Sequence, residues 1–257
     1  MTVSRFLPLA AALLLAAAGW AADAPATPPP DTGGSLLGGP PPRPTVPPGA
    51  TPTPRPAVVK LPNGDVRIGL VTVHPATREV SFPAKCNLRQ GILEVLIATP
   101  EGRLHESLLR SAARPFQLQT ALILLGLRNG ARLSGGAVPQ GDIVDLDLEW
   151  RQPDGTLTRT PVERWIHDTK TNQPSARFGW VFTGVTFSNG VANAEIEGNL
   201  VINYAVGDTV LDLADVAAGD DTRFVVNTDQ AGLNAGDPVR VILKPRAAAK
   251  ASAGKLP

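Results

Sequence analysis

Apolar side chains recur at every second position through much of this chain. Val66, Ile68 and Leu70 alternate with polar neighbours, and Val71 and Val73 continue on the shifted phase. Val80, Phe82, Ala84 and Cys86 then follow the turn His74-Pro75-Ala76-Thr77. Successive side chains of a strand point to opposite faces, so a period of two predicts strands with one buried face. The phase change beside Gly69 predicts a β-bulge. Thr99-Pro100-Glu101-Gly102 and Gln152-Pro153-Asp154-Gly155 share one turn chemistry, with Pro at the second position of a type I turn and Gly where a following bulge needs positive φ. Read as hairpins, they set a register. Ile97 faces His105, Leu96 faces Glu106 and Val95 faces Ser107 in the first, and Glu149 faces Arg159 in the second. Further strands are expected at 178–185, 191–204 and 238–244, with Ala194, Ile196, Gly198, Leu200, Ile202 and Tyr204 on one face of the longest.

The period changes where Pro115 begins a helical turn. Leu118, Ala121, Leu122 and Leu125 fall at i, i+3, i+4 and i+7, Ile123 and Leu124 widen the apolar face, and Gly126 or Gly130 can end the helix. A shorter helix is expected over 208–217, where Val210, Leu213 and Ala214 share a side. The expected fold is α+β and β-rich: antiparallel, hairpin-built sheets packed on one main helix at about 115–126. No strand–helix–strand unit opens on a Gly-rich phosphate loop, so the common nucleotide-binding folds are not indicated.

Both ends of the chain depart from these patterns. Residues 1–21 read as a signal peptide, with Arg5 as the positive start, an apolar run from Phe6 to Ala18, and small residues at Gly19 and Ala21 before a cleavage site. That run is short of the ~20 residues a bilayer span needs, and no cysteine stands near the site to take a lipid. Residues 22–56 hold 13 of the 26 prolines and cannot bury enough apolar surface to offset chain entropy, so an extended, disordered tether is expected. This leaves one domain at 57–246 and a frayed tail at 247–257. The expected protein is exported, periplasmic or extracellular, without a transmembrane span after cleavage.

Charge and metal-binding residues narrow the chemistry. With 24 Lys and Arg against 23 Asp and Glu there is no basic field for nucleic acid. Cys86, the only cysteine, cannot build a disulfide, a Cys₄ zinc site or an iron–sulfur cluster, and reads as a small core residue. His74, His105 and His167 stand at unrelated spacings, and no cofactor is expected.

His105-Glu106-Ser107-Leu108-Leu109, followed by Ala121-Leu122-Ile123-Leu124-Leu125-Gly126, resembles the core of the YdjY-domain family. Leu148-Glu149-Trp150 with its Asp154-Gly155 turn, Trp180-Val181-Phe182-Thr183-Gly184, and Asp237-Pro238-Val239 leading to Pro245 resemble its second half. The resemblance covers roughly 65–245 and implies a domain of exported bacterial proteins. It carries an expectation of fold and compartment but of no particular activity. Some relatives bear ferredoxin-like names, whose cluster ligands this chain lacks.

Three polar groupings are candidates for chemistry. Asp145, Asp147 and Glu149 project from one face of a strand, a set that can offer oxygen ligands to Ca²⁺; the alternative is a solvated face with Glu149 paired to Arg159. His167 and Asp168 are adjacent but point opposite ways on a strand, which argues against a triad, and no Gly-x-Ser-x-Gly elbow is present. Glu106, His105 and Ser107, with Glu94 alongside, put polar groups inside an apolar hairpin. There Glu106 serves either as a structural acceptor for backbone N–H groups at 112–115 or as an acid–base residue. Three functions compete. The first is a non-catalytic envelope module that binds a protein, polymer or small ligand. The second is a hydrolase-like enzyme using Glu106 or His105, and the third is a carboxylate-based calcium module.

Overall fold

The alternating stretches become strands, and their registers close a barrel. In the computed structural model, which describes residues 46–131 and 138–247, the elements run β1 (Val58–Lys60), β2 (Val66–Ile68), β3 (Val71–His74), β4 (Glu79–Cys86), β5 (Val95–Ala98), β6 (Ser107–Arg110) and helix α1 (Pro115–Leu124). They continue with β7 (Ile143–Arg151), β8 (Leu157–Pro161), β9 (Ile166–Asp168), β10 (Gln173–Pro174), β11 (Trp180–Phe182), β12 (Phe187–Ser188), β13 (Val191–Ala192) and helix α2 (Asn193–Glu197). Last come β14 (Asn199–Ile202), β15 (Leu211–Leu213), β16 (Phe224–Val226) and β17 (Pro238–Pro245). The expected signal peptide, the first part of the tether and the tail from 248 lie outside the described residues.

Eight strands pair in the order β4-β17-β7-β11-β15-β14-β5-β6, and β6 returns to β4 through Lys85↔Arg110 and Cys86↔Leu109. Closure leaves no open edge in the ring. Register explains the core. Val241 pairs with both Phe82 and Leu148, Leu243 with both Val80 and Leu146, and Trp180 with Val144, so one face of each strand points inward as a buried apolar stripe. Two strands outlast the ring. Beyond its pairing with β6, β4 carries the β1–β2–β3 meander, and beyond its pairing with β11, β7 carries β8. Helix α1 buries Leu118, Ala121 and Leu122 against β2, β3, β14 and α2. Ile123 and Leu124 are half exposed, so its apolar face is narrower than expected.

Gln152–Gly155 makes the expected hairpin, with Glu149 opposite Arg159 and Gly155 at φ +87°. The Thr99–Gly102 turn does not. β5 and β6 are parallel, with Val95 opposite Ser107 and Ile97 opposite Leu109, and a 3₁₀ turn at Leu104–Glu106 carries the chain back. The turn itself is present (Gly102 N–H to Thr99 O, 3.0 Å), but Gly102 is glycine for another reason. A Cβ there would sit 2.8 Å from the Gly198 carbonyl, because two backbone segments cross at this point. Gly69 makes no bulge: Ile68 pairs with Val71, and Gly69 at φ +58° begins a two-residue hairpin turn. The segment 191–204 is not one strand, since α2 interrupts it and ends at Gly198 in the left-handed region. The expected helix at 208–217 is instead β15, drawn in beside β11 and β14, and a 3₁₀ turn capped by Asp215 (Ala217 N–H to Asp215 Oδ1, 2.8 Å). The end of the segment expected to be a tether already contacts the domain before residue 57. Thr53 donates its N–H to Gly190 O (3.0 Å), and its Oγ1 accepts from Ala192 N–H (2.9 Å).

Candidate functional site

Glu94, His105, Glu106 and Ser107 gather around the 3₁₀ turn. Arg103 Nη1 lies 3.2 Å from Glu106 Oε1 and 3.6 Å from Glu94 Oε2, so one guanidinium serves two carboxylates. Burial raises the Glu94 carboxyl above its ordinary range, and the Glu106 charge adds to this while Arg103 opposes it. His105 is 80% exposed at its side chain and stands 3.6 Å from Glu106. Ser107 is buried and donates its hydroxyl to Arg103 O at 2.6 Å. Glu106 does not face Leu96, and it does not receive the backbone N–H groups before α1. Those go elsewhere, Ala113 N–H to Ser111 Oγ (3.1 Å) and Arg114 N–H to Gln117 Oε1 (3.4 Å), while Phe116 N–H in the first turn of α1 donates to Glu195 Oε1 (2.9 Å). The carboxylate at the start of α1 is therefore Glu195, carried by α2 and held by Arg114 Nε at 2.6 Å.

Asp145, Asp147 and Glu149 do share the outer face of β7, and each meets arginine. Asp147 binds Arg159 (2.9 Å) and Arg177 (3.3 Å), Asp145 binds Arg246, and Glu149 binds Arg240 at 2.7 Å. Arg159 faces Glu149 in the ladder, yet its second partner is Glu79 (3.0 Å), so the expected Glu149–Arg159 ion pair is replaced. Among the described residues no three His, Cys, Asp or Glu side chains come together in a way that could hold a metal ion. His167 and Asp168 are separated as expected. Asp168 is buried and takes both Arg223 nitrogens (3.0 and 2.7 Å), which hold its carboxyl below the usual range. Cys86 is buried in the core, and desolvation pushes its thiol up.

A groove of about 740 Å³ opens where the β2–β3 flap and the β7–β8 hairpin stand away from the ring. The loop before β17 forms its third wall. That loop is pinned by Arg89 Nη2 to Gln230 O (3.0 Å), Asn234 N–H to Asp237 Oδ2 (2.7 Å) and Gly236 N–H to Cys86 O (2.8 Å). Leu70 and Leu157, both about half exposed, mark opposite rims, with Phe82, Pro83, Trp150 and Leu233 between them. The charged lining is balanced: Arg151 and Arg240 against Glu149 and Asp237.

One wall of this groove holds a hydrogen-bonded chain. His74 Nδ1 lies 2.9 Å from Asp65 Oδ2, and His74 Nε2 lies 2.8 Å from Ser81 Oγ. A carboxylate oxygen only accepts, so in the neutral ring Nδ1 carries the proton and Nε2 is the atom that accepts from the Ser81 hydroxyl. Asp65 is set by the Leu61–Asp65 turn, in which Leu61 N–H meets Asp65 O at 2.8 Å and Asn63 Nδ2 donates to Asp65 Oδ2 at 2.9 Å. Neither the Asp65 nor the Ser81 contact was anticipated from the sequence. The signal was nonetheless present in the hairpins. Val66↔Val73 makes Asp65 the next partner of His74, while Thr72↔Ser81 and His74↔Glu79 make His74 and Ser81 diagonal neighbours on one face.

The YdjY domain model matches residues 71–244, most of the chain. No curated protein matches the chain, and no solved structure matches it.

Proposed function

The chain belongs to the YdjY-domain family, and we propose that its domain is a binding module of an exported protein, with the ligand seated in the groove beside β3, β4 and β17. The observation that carries this reading is the groove itself. Its volume is of the size that takes small ligands or a short stretch of polymer, typically ~300–1,000 Å³. Its lining mixes apolar side chains (Leu70, Phe82, Trp150, Leu157, Leu233) with polar ones, and its charges are of both signs, Arg240 being paired with Glu149. Such a lining suits an uncharged, partly apolar ligand, because each arginine already has an oxygen partner (Arg240 with Glu149, Arg151 with Gly155 O) and a charged ligand would have to displace it.

N-phenyl-1-naphthylamine, an uncharged dye that brightens in apolar sites, tests the reading. Saturable enhancement is expected with the wild-type protein. At least fivefold weaker binding is expected for Leu70→Asp and Leu157→Asp, whose half-exposed positions should tolerate the change. A dye response that does not saturate, or that ignores both substitutions, would overturn it. Export is supported by the composition of residues 1–21. No described helix is long and apolar enough to cross a membrane. N-terminal sequencing of mature protein is expected to begin near Ala22.

A further inference from the structure

We propose that Ser81 is the nucleophile of an acyl-transfer site that acts on an ester held in this groove, with His74 as its general base and Asp65 as the positioning residue that orients His74. The inference rests on the groove being a ligand site and adds a reaction to it. Nucleophile, base and orienting carboxylate are recognised by geometry and not by order along the chain, and the spacings here, 2.8 and 2.9 Å, fall within hydrogen-bond reach. The other two buried serines among the described residues show what structural hydroxyls do in this fold. Ser107 donates to Arg103 O and Ser111 to Pro83 O, both at 2.6 Å, so each is tied to the main chain. Ser81 Oγ is instead 2.8 Å from the Nε2 of an imidazole, the acceptor of its proton when the ring is neutral, and both it and His74 line the groove.

The cation for the oxyanion is Arg240, which would exchange its Glu149 partner for the negative charge that develops only in the tetrahedral intermediate. Ser81 pairs with Ile242, and Arg240 lies two residues along β17 on the same outer face, a diagonal neighbour at about 7–8 Å between Cα atoms, within reach of a long side chain. Arg240 and Glu149 both line the groove, 2.7 Å apart. The reaction balances without a cofactor. Ser81 Oγ forms a bond to the ester carbonyl carbon while its proton passes to His74 Nε2. The intermediate collapses, the C–O bond to the alcohol breaks, and the alcohol leaves with that proton. Water then attacks the acyl-serine, with His74 again taking and returning a proton, and the acid is released.

Diisopropyl fluorophosphate, which phosphorylates an activated serine with loss of fluoride, tests the proposal on the full-length chain by intact mass and peptide mapping. A single adduct on Ser81 is expected. Labelling should slow at least about 100-fold in His74→Gln, as should hydrolysis of p-nitrophenyl butyrate. Asp65→Asn should lower kcat with KM unchanged, a split that a residue holding only the fold would not produce. Absence of an adduct on Ser81 while the naphthylamine dye still binds would overturn the acyl-transfer proposal and leave the groove as a binding site. An adduct that forms equally fast in His74→Gln would overturn the relay. Labelling of Ser81 without dye binding would support the nucleophile and retire the apolar-ligand reading. The wild-type adduct needs no variant, so misfolding of a mutant cannot hide the answer.

Discussion

Glu163 offers the sharpest test of how this domain is held together. It sits in a 3₁₀ turn at Val162–Trp165, packed against β7 and β10, and is 4% exposed. Among the described residues, no other residue donates a hydrogen bond to either carboxylate oxygen. Burial pushes its carboxyl from 4.5 up to about 7; its own backbone N–H and the Arg177 charge oppose this, while Asp145 and Asp147 add to it. Between these two values the folded protein keeps a proton that the unfolded chain has released. Stability must therefore fall as pH rises through about 4.5 to 7, and level off above. At 1.36 kcal/mol per unit, a rise of about 2.5 units corresponds to a loss of about 3 kcal/mol, a large share of the ~5–15 kcal/mol typical of a domain. Glu163→Gln removes the ionisation and keeps the shape. Its amide leaves buried donors unsatisfied at a cost that does not depend on pH, so the readout is the difference between variant and wild type across pH. Urea unfolding at pH 4.5, 6 and 8 should show the variant gaining on the wild type by about 3 kcal/mol from the lowest to the highest pH. Ion pairs elsewhere titrate in both proteins and cancel in the difference. Parallel pH curves for the two proteins would refute the assignment of a buried, protonated Glu163.

Leu122→Ala should cost about 2–5 kcal/mol, since Leu122 is fully buried between α1 and the sheet; a shift under about 1 kcal/mol in urea unfolding would make α1 peripheral. Glu195→Ala should destabilise by about 1–3 kcal/mol, measured the same way, because Phe116 N–H and Arg114 Nε lose their common acceptor. Cys86 should resist 5,5′-dithiobis(2-nitrobenzoic acid) in the native state and react on unfolding, as expected of a buried thiol raised by desolvation; rapid labelling of folded protein would place it at the surface.

Most strands could be read from the sequence because both determinants of a strand are local. Val80, Phe82, Ala84 and Cys86 alternate, a turn precedes them, and all four are buried. The Gln152–Gly155 hairpin was legible for the same reason. Where sequence reading failed, the deciding contact was far along the chain. Pro100-Glu101-Gly102 looks the same whether the chain turns back antiparallel or crosses to a parallel strand, and the crossing against Gly198 decides between them. The five residues of α2 alternate well enough for a strand. They coil because Gly198 can end a helix, and the coil lets Glu195 reach the start of α1. The candidate site divides in the same way. Glu94 and Glu106 are joined through Arg103, a group the apolar–polar pattern does not point to, and Ser107 turns its hydroxyl to the Arg103 carbonyl. Asp65, His74 and Ser81 are separated by nine and seven residues, close enough for two hairpins to align them, and the turn after His74 is legible in Pro75-Ala76-Thr77. What remained invisible was that the outward side of these strands faces a groove and not solvent. That depends on the loop before β17, which Cys86 at the end of β4 and Arg89 just beyond it hold in place. A hydroxyl, an imidazole and a carboxylate in register are a surface network on an open sheet. The third wall makes them a place where a ligand can be held against the hydroxyl.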